Sequence, residues 1–296
     1  MRYNTLLKTI LIAALVSLGL VHAGEKVDRT IDVQANGNVE ISNVRGIVRI
    51  EGWDKNQVSV KGELDDNTKE FIFETNNSTT VIKVELPRGR MDRSDGSNLI
   101  IRVPHTNSVD FSGVSSDVVI TDIEAGIDIR TVSGDVTAAN IASKIHLNSV
   151  SGDIDIKDST GNARLASVSG DIDAKIDSDE IEVSLVSGDT ILQLGEFTKL
   201  EGSTVNGDIW MQGTQKDGGQ TRFSSVNGDV ELKYTGTLNA TIKAKSGPGG
   251  DITNKLTETR VEEIFPNQQK LGCTVGNGDG RISVSTVNGS IKLLGD

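Results

Sequence analysis

The chain has 296 residues and a net charge of −12, with only 3% aromatic residues, four prolines and one cysteine. So acidic a chain repels nucleic acid and anionic lipid surfaces and leaves metal cations or basic partners open. Scarce aromatics beside abundant Val, Ile, Thr and Ser fit repeated layers of β-branched side chains better than one large globular core.

Residues 1–23 read as a secretory leader. Arg2 and Lys8 supply a positive start, 10–21 an apolar run, and Val21-His22-Ala23 a cleavage site after Ala23. An uncleaved anchor is the alternative, but the run is short for a membrane span. Cleavage takes the charge from −12 to −14. The residue directly after the cleavage point is Gly24 and not cysteine, which argues against a lipid anchor. The expected product is exported, periplasmic or cell-surface, with no transmembrane segment in the mature chain. Cys273 cannot form an internal disulfide and reads as a small buried apolar residue rather than a reactive thiol.

Residues 24–108 are expected to form an N-terminal β subdomain that caps or begins a stack of repeats. Within it, 39–50 alternates apolar and polar residues as a half-buried strand pair. A turn is predicted at 54–56, a hairpin turn at Asn76-Asn77-Ser78, and a polar loop at 88–97.

From 131 to 229 the chain repeats one phrase six times: TVSGDV, SVSGDI, SVSGDI, LVSGDT, TVNGDI and SVNGDV. Its glycines, Gly134, Gly152, Gly170, Gly188, Gly207 and Gly228, are 18, 18, 18, 19 and 21 residues apart, and Gly289 ends a further copy. Such a period indicates stacked repeats. Apolar residues recur seven, five and two before each glycine and two and four after it; around Gly152 these are Ile145, Leu147, Val150, Ile154 and Ile156. The same template fits Gly46 and Ser116. Inward positions on a strand are two apart, so the three-residue step from five-before to two-before predicts a corner there, built from small polar pairs such as Asn148-Ser149. The valine and the glycine are then expected to face inward. The predicted fold is all-β: a parallel β-solenoid over 109–296, with rungs of about 18 residues, two short strands per rung and an irregular excursion at 254–280 that is either a short helix or a loop.

The phrase NVRGIVRIEGWDKNQVSVKGEL, then IRVP, the VSGD rungs and TVNGSIKL resemble the bacterial putative-adhesin family of β-solenoid domains, from about Val39 to Leu293. The resemblance implies an exported or envelope-associated β-solenoid without established catalysis.

The candidate site residues are the seven corner glycines and an outward acidic ladder of Asp135, Asp153, Asp171, Asp189, Asp208 and Asp229. Stacking places like charges about 5 Å apart, at roughly 0.8 kcal/mol per neighbouring pair before screening. Divalent cations would offset that; backbone N–H groups would too, and that reading is preferred. No metal, cofactor or catalytic residue is assigned. The GNGDGR stretch at 276–281 lacks the further acids of a calcium loop and reads as a turn. His146 lies outward and is expected to be solvated. The expected function is a non-catalytic, adhesin-like binding or scaffolding protein of the bacterial envelope whose partner is a protein or a glycan. A polysaccharide-active enzyme and a cation-dependent adhesion module are the alternatives.

Overall fold

The computed structural model describes residues 24–89, 94–264 and 267–296. The leader lies outside them. Twenty-three strands hydrogen-bond into one continuous sheet wound into a flattened coil, and no helix occurs among the described residues.

Each regular rung is a front strand, a glycine corner, a back strand and a second corner. Front strands Ile127–Ser133, Ile145–Ser151, Ala163–Ser169 and Glu180–Ser187 pair in parallel and in register, Ile127 with Ile145, Ala163 and Ile181. Back strands Val136–Ile141, Ile154–Thr160 and Ile172–Asp177 do the same. Longer strands, Asn38–Trp53, Ser108–Ile123, Thr190–Asn206 and Ile209–Asn227, run through a corner without a break and join front to back. The longer glycine separations arise at the second corner, where register shifts between Gln193 and Glu196 and between Phe197 and Lys199 take up the extra residues.

The core is a set of aliphatic columns, all below one-tenth exposed. Along the back sheet Ile120, Ala138, Ile156, Ala174 and Leu192 stack, large alternating with small. That alternation fills a narrow interior without aromatic bulk. Where a ring does enter, its neighbour shrinks: a Cβ on Gly202 would lie 2.1 Å from Phe223 Cε1 in the next rung.

Both ends depart from sequential stacking. At the N-terminal end 38–53 pairs directly with 108–121, a jump of 70 residues, while Thr79–Glu85 and Ser97–Pro104 form the rung outside it. Antiparallel strands close that end, Glu70–Asn76 on the front and Gln57–Glu63 with Lys26–Asp32 on the back. At the C-terminal end the last rung by sequence, Gly280–Asn288 with Ile291–Leu294, inserts between the rung of Gly228 and the strands Ala240–Ser246 and Ile252–Asn254. The excursion holds two strands joined to the core by irregular chain at 255–261: Gln268–Val275 pairs antiparallel with 240–246, and Glu262–Ile264 pairs with it in turn. Terminal strands carry Lys26, Asp28, Arg29, Glu70, Glu74, Glu262 and Glu263, charges that discourage edge-to-edge pairing. Cys273 is half-buried against the core.

Candidate functional site

The corner lies three residues later than the apolar pattern indicates, at Gly152 rather than at Asn148-Ser149. Front strands continue through Ser133, Ser151, Ser169, Ser187, Asn206 and Asn227, and the chain turns at the glycine itself. Positions seven, five and three before the glycine point inward, so Thr131, Ser149, Ser167, Thr204 and Ser225 are buried. The valines two before it point outward. Val114, Val132, Val150, Val168, Val186, Val205, Val226 and Val287 are 40–50% exposed. The inward assignment of these valines is therefore corrected. Strand parity therefore puts Ser or Thr inside at the position three before the glycine and turns the next residue, the valine, outward. Among the rungs of the seven corner glycines, Leu185 alone replaces them.

The glycines hold their place for a steric reason. Their φ angles run from +131° at Gly188 to +158° at Gly289. A Cβ on Gly152, Gly170 or Gly188 would lie 2.3 Å from the carbonyl oxygen of the glycine one rung below. Both facts exclude larger residues. Ser116 occupies the equivalent site in a strand that bends without a positive φ, and Asn43 Nδ2 donates to its Oγ at 2.8 Å.

The aspartates form one hydrogen-bonded ladder. The N–H of Asp135 donates to Oδ1 of Asp117 at 3.1 Å, that of Asp153 to Asp135 at 3.0 Å, and that of Asp171 to Asp153 at 2.8 Å. Asp189, Asp208 and Asp229 continue it at 2.8 Å each, and Ser290 N–H ends it on Asp229 at 2.7 Å. Each carboxylate thus accepts a charge-assisted bond from the rung above, which offsets the repulsion of neighbours. Beside it Asn288 Nδ2 donates to Asn227 Oδ1, and Asn227 Nδ2 to Asn206 Oδ1, both at 2.8 Å. Among the described residues no three His, Cys, Asp or Glu side chains are grouped to hold a metal ion.

The front face outside the corner is therefore banded: an apolar valine stripe, a Ser/Asn band, then the acidic ladder. A shallow groove of about 530 Å³ follows the stripe, lined by Val132, Val150, Ala166, Val168 and Val186 with Arg130 at its side. His146 is less solvated than expected; Nδ1 lies 3.1 Å from Asp128 Oδ2, and Asn148 Nδ2 is 3.0 Å from Nε2.

Two charged contacts secure the N-terminal rungs. Arg45 forks onto Asp65, and although burial opposes the Asp65 carboxylate, Arg45 and Asn67 together hold its pKa below the ordinary value. In the GWD phrase, a Cβ on Gly52 would lie 1.8 Å from Asp122 O, Trp53 Nε1 donates to Gln57 O at 2.7 Å, and Asp54 Oδ1 lies 2.8 Å from His105 Nε2. The phrase is a clamp across the second corner. Its hydrogen bond to Asp54 raises the His105 pKa above 6.5, with burial working the other way.

The family model Toastrack DUF4097 matches residues 21–294. The chain belongs to the Toastrack DUF4097 family. Solved structures similar to it include a putative adhesin from Bacteroides fragilis NCTC 9343, 15% identical, covering 91% of this chain and 97% of that one at a TM-score of 0.45. A putative lipid binding protein from Parabacteroides distasonis ATCC 8503 is 15% identical over 93% and 100% of the two chains, with a TM-score of 0.46. A putative adhesin from Parabacteroides merdae ATCC 43184 is 12% identical over 92% and 98%, with a TM-score of 0.43. No curated protein matches the chain. Among the described residues of this Toastrack chain no helix is long and apolar enough to cross a membrane.

Trp210 is not singled out by the repeat pattern. It lies three residues past Gly207, an outward position by the strand parity of Ile209 and Met211, and that parity is the signal that could have found it.

Proposed function

We propose that the chain is an exported, non-catalytic, adhesin-like protein of the bacterial envelope that binds or scaffolds through its solenoid faces. The observation that carries this reading is the banded front face. The corner glycines are held by sterics and the aspartates by their ladder, yet the valine two residues before the corner is repeated across eight rungs where no core demands it. Regularly spaced apolar area of this kind marks interaction surfaces. The acidic ladder beside it disfavours anionic partners. A polysaccharide-active enzyme, the competing class, would act at acids and bases gathered in a cleft, whereas these rungs repeat the same acids along an open face.

Crosslinking in the native cell, with identification of the attached molecules, tests the reading. An envelope protein or glycan held by the front or back face is expected. Absence of any partner, together with measured turnover of a polysaccharide by the purified chain, would overturn it.

A further inference from the structure

The back sheet turns one large aromatic side chain outward. Trp210 belongs neither to the buried core nor to the side chains packed against it. It is half-buried on its strand, flanked along the ladder by Ile191, 40% exposed, and by Glu231. The other described tryptophan, Trp53, is fixed by its indole N–H on Gln57 O; the Trp210 indole N–H has no partner among the described residues.

Along the chain the outward neighbours of Trp210 are polar and planar. Asp208 and Gln212 lie two residues to either side along the strand, about 7 Å away. Gln212 is in register with Gln193 one rung below. Neither glutamine amide has a partner among the described residues. Asp208 spends Oδ1 on the N–H of Asp229, and no described residue occupies its second oxygen. Beyond the two glutamines opens a groove of about 530 Å³, lined by Lys175, Asp177, Gln193, Leu194, Gly195 and Gln212.

We propose that this is a glycan-binding subsite for neutral or N-acetylated hexoses, with Trp210 as its platform. The subsite rests on the binding function proposed for the solenoid faces and names its ligand class. A pyranose has one face of C–H groups that stacks on an aromatic ring, and a rim of hydroxyls that suits paired donors and acceptors. The indole offers the first. Free amides at Gln193 and Gln212 and the open oxygen of Asp208 offer the second. Gly195 keeps the groove open for adjoining sugar units. The charge around the platform selects among sugars. Asp173, Asp189, Asp208 and Glu231 surround it and outnumber the one uncommitted cation nearby among the described residues, Lys233, which is in register with Gln212; Lys175 and Lys292 are held by Asp158 at 2.5 Å and Glu231 at 3.2 Å. Uronic, sialic and sulfated glycans are thereby disfavoured.

The test uses the full mature chain on immobilised neutral, N-acetylated and uronic oligosaccharides, with calorimetric titration of the best ligand. Neutral or N-acetylated oligosaccharides bind and uronic ones do not. Trp210→Ala weakens binding about tenfold or more. Trp210→Phe keeps most of it, Gln193→Ala and Gln212→Ala weaken it, and thermal melting stays within a degree or so of the parent for these outward substitutions. Binding unchanged in Trp210→Ala sinks the subsite while leaving the binding function standing. So does capture of an envelope protein by a chain that binds no neutral or N-acetylated glycan, and so does a preference for uronic oligosaccharides. Hydrolysis of the bound glycan would overturn the non-catalytic reading but keep Trp210 as a substrate platform.

Discussion

At the scale of single residues, the corner obeys two independent constraints, and each can be broken alone. Gly170→Ala places a methyl 2.3 Å from Gly152 O at a φ of +137°, and a loss of about 3 kcal/mol in urea unfolding is expected. Asp171→Ala removes the acceptor of the Asp189 N–H and costs about 1 kcal/mol, whereas Asp171→Asn keeps an acceptor oxygen, relieves like charge, and leaves stability unchanged or slightly higher. Equal losses in the two variants would show that charge rather than the hydrogen bond matters. The His105 and Asp54 pair gives a pH effect of definite sign. Because the folded His105 pKa is raised above 6.5, its contribution is fully present below about pH 6.5 and fades as pH rises through the folded value. Melting temperature should fall across that window, and Asp54→Asn should remove this component. The glycines and aspartates are legible in the sequence because each rung repeats them; the partner of each Asp carboxylate is not, since it sits about 18 residues away on another rung.

Elements are less evenly legible. Period, strand number per rung and the hairpin at 70–85 follow directly from alternation and turn residues, and the strands Glu70–Asn76 and Thr79–Glu85 meet at Asn77, whose φ is +54°. The corner is misplaced by the sequence pattern because polarity there is a poor guide to direction. Ser149 and Ser167 are polar and inside; Val150 and Val168 are apolar and half outside. Strand parity up to the glycine, not polarity, sets direction here, and Ser, Thr and Leu185 share the inward position. Val168→Thr checks the correction. As a half-exposed strand position it should change stability by less than about 0.5 kcal/mol, where an inward valine would lose well over 1 kcal/mol by burying a hydroxyl. The end strands cannot be ordered from sequence at all. Local pattern fixes that a segment is a rung; it carries nothing about which rung is its neighbour, and only the degenerate corner KSGPGGD at 245–251 hints that this rung differs.

For the whole molecule, stability is a sum over neighbours, so regular rungs can add one at a time. Each finds its partner about 18 residues back, as Ile145 finds Ile127. The closing rung pairs Asn227 with Asn288, 61 residues apart. Loop-closure entropy makes that step costlier by about 1 kcal/mol. Refolding monitored by hydrogen exchange should therefore protect 127–206 before 240–254 and 280–294, and simultaneous protection would refute the order. The inserted rung also has a meaning during synthesis. Until residues 280–294 have left the ribosome, strand Ala240–Ser246 has only its antiparallel partner Gln268–Val275, and the edge at Gln220–Tyr234 stays open. A chain cut short after residue 275 would show an unpaired edge to quality-control proteases, whereas one translated through Leu294 hides it.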